Sequence, residues 1–242
     1  MATMQAAKKQ LRKLIKDRLC DVSLDSSKNQ TSKALETLFT MPQYQNAQRI
    51  SVYLSMPSGE ISTAGIVHDA LKNGKEVFVP YTYKISHLAD GPGSVMDMVK
   101  LDDLRDYEEL RPDKWGIPTP TESSIANRIN SFGSVGKSVG HDASSAPGQG
   151  GLDLIVMPGM AFDMNMNRLG HGRGFYDFFL ERLQRHTDTK KGRMPLLGSN
   201  ALKWSEQLLE ESSVPTDSTD WKLDALITGD GQLLTASHSR IA

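Results

Sequence analysis

The densest chemistry in the chain lies at Asn167-Arg-Leu-Gly-His-Gly-Arg-Gly-Phe-Tyr-Asp177. Glycines alternate at Gly170, Gly172 and Gly174, with His171 and Arg173 between them and Arg168 just upstream. A glycine lets the backbone approach a phosphate closely. The N-terminus of a following helix adds unpaired N–H groups and positive potential. Leu169 to Tyr176 therefore reads as an anion-binding connection from a buried strand to a helix. The plainer alternative is a glycine-rich surface connection with unpaired cations. The spacing departs from Gly-x-Gly-x-x-Gly, because Phe175 stands where the third glycine belongs, so a dinucleotide site of the Rossmann type is not supported. Asp177 falls just inside the helix. It can satisfy the helix N-terminus, or bind Mg²⁺ that bridges phosphates. Asp220 and Asp224 are further acidic candidates beside and within the last strand.

Other motifs lead away from a site. Gly136-Lys137-Ser138 resembles the end of a P-loop, but the glycine required five positions before Gly136 is Ser131, and no apolar strand precedes it. The 6 histidines include no pair at the i, i+4 spacing of a helical metal site. Cys20, the only cysteine, excludes a disulfide framework and a thiolate-rich zinc site. Its position on a helix suits a packed or inert thiol.

The elements that must hold the glycine loop follow from periodicity. Leu11, Leu14, Ile15 and Leu19 fall at helical spacing, with Lys8, Lys9, Arg12, Lys13 and Lys16 on the other face. A second helix is expected over Ser26–Phe39, ended by Pro42. Arg49–Leu54 alternates as a strand, Met56–Gly59 is a turn, and Glu60–Asn73 reads as a helix stopped by Gly74. Glu76–Pro80 is a second strand, which makes a parallel crossover unit. Met96–Lys100 is a short strand candidate and Trp115–Pro120 a rigid turn. Leu152–Pro158 is a nearly continuous apolar run, as in a central strand covered on both faces. Helices are expected from Gly174 to about Arg185 and over Trp204–Glu211, with strands at Leu196-Leu197 and Trp221–Thr228. The fold class is α/β: an open, mostly parallel sheet with helices on both faces, in a single domain over 1–242. The Ser/Gly-rich stretch at about 121–150 reads as a surface insertion.

Composition agrees. Of 242 residues, 38% are hydrophobic and 24% charged, which excludes a disordered chain and a coiled coil. No apolar run approaches the roughly 18 residues of a membrane span. With 28 basic against 29 acidic residues the net charge is -1, so a nucleic-acid partner is not expected, nor a membrane. The basic, acid-free N-terminus has the look of a mitochondrial presequence; a surface helix with a solvated basic face is the alternative.

Gly151–Asp163 followed by Arg168–Asp177 resembles the 5-formyltetrahydrofolate cyclo-ligase family, also called methenyltetrahydrofolate synthetase. Lys8-x-x-x-Arg12, Leu54-Ser-Met with Glu60-Ile-x-Thr63, Met96-Asp-Met-Val99 and Trp115-x-Ile-Pro-x-Pro120 match in the same order. The resemblance runs from about Lys8 to Thr228, with 121–150 as an extra segment. It implies that ATP and 5-formyltetrahydrofolate become 5,10-methenyltetrahydrofolate, ADP and phosphate, with Mg²⁺, in a monomer. It implies that Lys8 and Arg12 reach the ATP phosphates, together with Arg168, Leu169, Gly170, His171, Gly172, Arg173, Gly174, Phe175 and Tyr176. Arg168 and Arg173 carry catalytic charge, and Asp177 and Asp220 hold the metal. Glu60 grips the pterin, Leu54 and Trp115 wall its pocket, and His171 to Phe175 also face the folate. Many members carry Arg where His171 stands, Lys at Arg173 and Tyr at Phe175. A neutral His171 leaves the loop one charge short.

If Lys8 and Arg12 bind ATP, the first helix stays on the working enzyme. That favours the cytosol over a mitochondrial location reached with a cleaved presequence. Two other readings use the same features: a folate-binding protein with an inactive phosphate loop, and a phosphate-binding α/β isomerase or transferase.

Overall fold

The structure, a computed structural model, describes residues 2–85, 93–139, 150–189, 199–203 and 205–235. The elements run α1 (Ala2–Leu19), α2 (Leu24–Thr40), α3 (Pro42–Asn46), β1 (Arg49–Val52), α4 (Ala64–Lys72), β2 (Glu76–Lys84) and β3 (Ser94–Lys100). Next come α5 (Leu104–Glu108), a small hairpin of β4 (Arg111–Pro112) and β5 (Pro118–Thr119), and α6 (Glu122–Ile125). Then follow β6 (Leu154–Met157), β7 (Ala161–Asp163), β8 (Arg168–Leu169), α7 (Phe175–Thr189), β9 (Ser199–Lys203), β10 (Leu208–Leu209), β11 (Ala225–Thr228) and β12 (Leu233–Thr235).

Seven strands form the central sheet in the order β12-β11-β9-β6-β1-β2-β3. The five inner strands pair in parallel, and β3 and β12 close the edges antiparallel. The alternation that predicts strands also sorts their side chains. Ile50, Val52, Val77, Val79, Leu154 and Val156 pack on one face with Ala34 and Leu38 of α2 and Ile66, Val67 and Ala70 of α4. Phe78, Ile155, Met157 and Leu226 pack on the other face with Phe179, Leu180 and Leu183 of α7. Both faces are covered, so the inner strands are apolar on both sides. No helix among the described residues is long and apolar enough to cross a membrane.

α1 docks on this body through Ile15, which is fully buried with Ala161, Leu169, Leu209 and Val214; Leu11 and Leu19 pack against the same group. Leu14, expected on the apolar stripe, is largely exposed. Cys20 lies just past the end of α1 and is exposed, not packed.

Several expectations shift. Pro42 does end α2, and it also opens the short α3, where a missing N–H costs nothing. The helix expected from Glu60 begins only at Ala64. The helix expected over Trp204–Glu211 is a 3₁₀ turn at Ser205–Gln207 followed by β10. Leu196-Leu197 lies outside the described residues; β9 begins at Ser199.

The 121–150 stretch needs the largest correction. Residues 140–149 lie outside the described residues, but 122–139 are built into the body. Ile125, Arg128, Asn130, Ser131, Phe132 and Ser134 are all buried. Asn130 serves as an internal scaffold: its amide donates to Ser134 Oγ and the Gly136 carbonyl, and accepts from the N–H groups of Phe132 and Ser134. Arg128 ties the segment to α5 through both oxygens of Asp106 and to β3 through the Lys100 carbonyl. The Arg128 bonds hold the Asp106 carboxyl below its ordinary value. A depressed carboxylate stabilises the fold above its unfolded pKa, and that contribution is lost as pH falls through the folded value. Asp106→Asn is therefore expected to destabilise the protein near neutrality. Its deficit against wild type should shrink as urea melts are repeated below about pH 4.

Candidate active site

The connections that follow β1 and β6 run in opposite directions across the sheet: after β1 the chain goes on to β2 and β3 on one side, and after β6 to β9 and β11 on the other. That makes the β1/β6 border a topological switch point. In open α/β sheets ligands bind there, beyond the carboxyl ends of the strands. The segment after β1 carries Glu60. The segment after β6 carries the β7–β8 hairpin and then the glycine loop.

The loop is held from behind. Arg168 is buried, and its guanidinium grips both oxygens of Asp177 at 3.0 and 3.1 Å and the Pro158 carbonyl at 3.3 Å. It thus pins the loop's start to the first turn of α7. Asp163, fully buried, accepts from the N–H groups of Asn165, Asn167 and Val214 and from the Asn167 amide, which fixes the hairpin turn leading into β8. Gly172 and Gly174 take φ values of 99° and 66°. A side chain at Gly174 would meet nothing within 4 Å, so its backbone lies open to approach.

The loop borders a cleft of about 1120 Å³ whose other walls come from α1 and residues 217–222. Lys8, Arg12, Leu169, Gly170, Gly172, Arg173, Gly174, Asp177 and Asp220 all line it. Arg12 donates from Nε to the Gly170 carbonyl at 2.9 Å, and its guanidinium lies over Gly172. Lys8 binds Asp220 at 2.7 Å and Asp217 at 3.0 Å. Burial alone would lower the Lys8 ammonium, but the bonds from these two carboxylates outweigh it and leave its pKa raised. Asp217 is held down to about 2 by the Thr219 hydroxyl and N–H, with Lys8 assisting. Arg12 is lowered by burial, against the opposing charge of Asp220; as a guanidinium it stays charged. The segments 2–19 and 217–222 are thus drawn together from opposite ends of the chain.

Glu60 sits at the other arm of the switch point. Its side chain is 10% exposed, and its Oε2 accepts the Met56 N–H at 3.0 Å. The carboxylate therefore closes the Met56–Gly59 turn and does not cap α4. Its Oε1 lies 3.5 Å from His171 Nε2, which joins the two loops. The Tyr53 and Tyr176 phenols are raised by burial first, with the Glu60 charge adding to it; Arg168 opposes the rise at Tyr176. The Tyr176 hydroxyl is buried with no hydrogen-bond partner among the described residues. Trp115 is 62% exposed with Lys114 over its ring at 4.1 Å. Its turn reaches the Glu60 segment through Gly116, which abuts Pro57.

Other sites of the expected pocket lie elsewhere. Leu54 is buried in the core cluster beneath the Glu60 segment and does not line the cleft beside the glycine loop. Phe175 packs half-buried against the second core cluster. Arg168 is not in the cleft wall but behind the loop. Asp224 is exposed, immediately before β11 and outside the cleft wall. Sequence reasoning missed Asp217, whose partner Lys8 is 209 residues away. It also missed Lys9, Phe178, Trp221 and Lys222 as cleft walls. Gly136-Lys137-Ser138-Val139-Gly140 spells the Gly-x-Ser-x-Gly of a nucleophile elbow, a match that sequence reasoning missed as well. Here the Ser138 hydroxyl donates to the buried Asp97 at 2.7 Å and accepts from Arg182, and no strand-to-helix turn exposes it. It is a structural tie.

For Mg²⁺, Asp177 and Asp220 offer hard oxygen donors in one cleft. Both Asp177 oxygens hold Arg168, and Oδ2 of Asp220 takes Lys8 and the Asp217 N–H. No cluster of three metal-ligating side chains occurs among the described residues. This set fits an ion that draws most of its ligands from phosphates and water, which is how Mg²⁺ is usually bound. Asp220 is the better placed of the two, because Asp177 is fully engaged.

Removing the Arg12 guanidinium takes away one charge-assisted bond that shapes the loop. Such bonds contribute about 1.5–3 kcal/mol, so Arg12→Ala is expected to weaken about tenfold the binding of a phosphate ligand by this loop, read by isothermal titration with the ATP that the family resemblance implies, with the melting temperature little changed.

The fold is that of an open α/β sheet, and its switch point carries a cationic glycine loop over a cleft with a nearly buried carboxylate beside it. The family model for 5-formyltetrahydrofolate cyclo-ligases matches residues 4–229. The chain is 33% identical over 229 residues to the 5-formyltetrahydrofolate cyclo-ligase of Mus musculus, covering 94% of this chain and 96% of that one. It is 31% identical over 227 residues to a probable 5-formyltetrahydrofolate cyclo-ligase of Caenorhabditis elegans, covering 94% and 95%. The solved 5,10-methenyltetrahydrofolate synthetase of Aquifex aeolicus shares the fold, with a TM-score of 0.62 at 22% identity over 97% of this chain and 95% of that one. This chain belongs to the 5-formyltetrahydrofolate cyclo-ligase family, and it is a ligase.

Proposed function

We propose that this chain converts 5-formyltetrahydrofolate and ATP into 5,10-methenyltetrahydrofolate, ADP and phosphate. One observation carries this reading. A cationic glycine loop and a nearly buried carboxylate, each on the segment that follows a central strand, meet at 3.5 Å across the switch point. That arrangement suits two ligands whose reacting ends must touch.

A formamide oxygen is a poor leaving group. The formyl oxygen attacks the γ-phosphorus and ADP departs. The neighbouring bridge nitrogen then attacks the activated carbon, loses its proton, and phosphate leaves with the former formyl oxygen. Phosphoryl transfer of this kind depends mainly on positioning and on stabilising charge. Lys8, Arg12, Arg173 and the loop amides supply that charge to the triphosphate. Arg168 acts as a positioning residue, because it locks the loop to Asp177. Glu60 accepts N–H bonds from the aminopyrimidine edge and fixes the formyl group towards the loop. Tyr176, kept protonated by burial, lines the junction, and Trp115 flanks the folate side. Mg²⁺, held by Asp220 and adjoining Asp177, would neutralise charge on the transferring phosphates.

Lys8 and Arg12 belong to α1, so removal of that helix as a presequence would dismantle the nucleotide site. We therefore read α1 as part of the working enzyme and not as a cleaved presequence, which favours the cytosol over a mitochondrial location reached by cleavage. Phosphate release tests the reading against its rivals. It should require ATP and 5-formyltetrahydrofolate together. Tight folate binding with no phosphate release would instead indicate a binding protein with an inactive loop.

A further inference from the structure

The ion-pair contact between the two arms of the site is made by the carboxylate oxygen that the folate would need. Oε2 of Glu60 is committed to the Met56 N–H at 3.0 Å. Oε1 faces the glycine loop, with His171 Nε2 at 3.5 Å. The Glu60 side chain is 10% exposed and that of His171 46%, so the contact sits at the mouth of the junction with the histidine on the open side. His171 lies between Gly170 and Gly172, and positive φ at Gly172 and Gly174 frees the following backbone from side-chain constraint. Arg12 holds the loop at Gly170 but leaves the His171 side chain unclamped.

We propose that His171 is a positioning residue that couples the nucleotide and folate sites by competing for Glu60 Oε1. The inference rests on the reading of Glu60 as the pterin anchor. An imidazole N–H and an aminopyrimidine N–H are both donors, and with Oε2 turned to the Met56 N–H both are directed at Oε1. Folate binding there competes with the His171–Glu60 contact. A triphosphate seated on the glycine loop gives His171 a second anionic partner and draws it away from Glu60, which frees Oε1. Each ligand thereby tightens the other, and linkage requires the same factor from either side.

The test is isothermal titration of 5-formyltetrahydrofolate into the full-length protein, with and without a non-hydrolysable ATP analogue and Mg²⁺. In the wild type the analogue is expected to tighten folate binding about fivefold or more. His171→Ala should bind folate more tightly than wild type in the absence of nucleotide, and its coupling factor should fall to within about twofold of unity. A His171→Ala protein that keeps the wild-type factor overturns the proposal, as does a wild type without coupling. Glu60→Gln separates the two layers. Unchanged folate affinity in that variant overturns the anchor reading and this inference with it. Weakened affinity there, beside intact coupling in His171→Ala, overturns this inference alone.

Discussion

Gly172→Val is expected to bind ATP at least about a hundredfold more weakly than the wild type while remaining folded. Two effects combine. Gly172 has φ of 99°, where a branched side chain costs about 1–3 kcal/mol of backbone strain. A Cβ there would also stand 3.2 Å from the Arg12 guanidinium carbon, so the cation must shift and the side chain fills space a phosphate would use. The strain costs fold stability, whereas the blocked approach and the displaced Arg12 weaken binding, by the roughly 2.7 kcal/mol that a hundredfold loss represents. Gly74→Val separates strain from approach. Gly74 has φ of 72°, an added Cβ there would meet nothing within 4 Å, and the residue lies outside the nucleotide cleft. It should lose comparable thermal stability and keep its ATP affinity. Near-normal ATP binding by a folded Gly172→Val protein would remove the glycine loop from the nucleotide site.

Glu60→Gln should weaken 5-formyltetrahydrofolate binding by about one to three powers of ten and leave ATP binding measured alone nearly unchanged. In this reading the Glu60 carboxylate accepts from the aminopyrimidine edge through Oε1, because Oε2 takes the Met56 N–H, and such a bond contributes about 1.5–3 kcal/mol. The amide keeps the shape but turns one acceptor into a donor that faces a donor. At about 1.4 kcal/mol per tenfold, losing that bond and setting donor against donor gives the stated range. The local fold offers a check. Glu60 accepts the Met56 N–H, and a glutamine can keep that bond through its remaining oxygen. Thermal stability should therefore change little. A lower melting temperature with folate affinity intact would make Glu60 a turn-closing residue only.

Much of this architecture is legible in the sequence, and the illegible parts have physical reasons. β1, β2 and β6 announce themselves because Ile50, Val52, Val77, Val79, Leu154 and Val156 are all committed to one covered face. The glycine loop is legible because its residue types do one thing well. The 122–139 segment misleads because its order comes from polar bonds. Asn130 supplies the donors and acceptors that a strand ladder would otherwise provide, and no hydrophobic period records that. Glu60 is likewise a matter of geometry, since its carboxylate turns back four residues to Met56 and so delays the helix to Ala64. Lys8, Arg12 and Glu60 are legible only through resemblance to a family, because their partners lie far along the chain. Asp217 is illegible for the same reason: its significance comes from Lys8. Arg168 reads from its type and place as a phosphate ligand, yet its burial and its paired bonds to Asp177 make it the brace behind the loop. A residue's type tells which chemistry is available, but only packing tells which side of the loop it serves.

The most direct measurement is the absorbance band of methenyl-folate during incubation of the protein with ATP, Mg²⁺ and 5-formyltetrahydrofolate. The band should grow with time, need both ATP and the formyl-folate, match phosphate release one for one, and vanish in Gly172→Val. Growth of the band without ATP, or no band from a protein shown to bind both ligands, would contradict ATP-driven ring closure at this site.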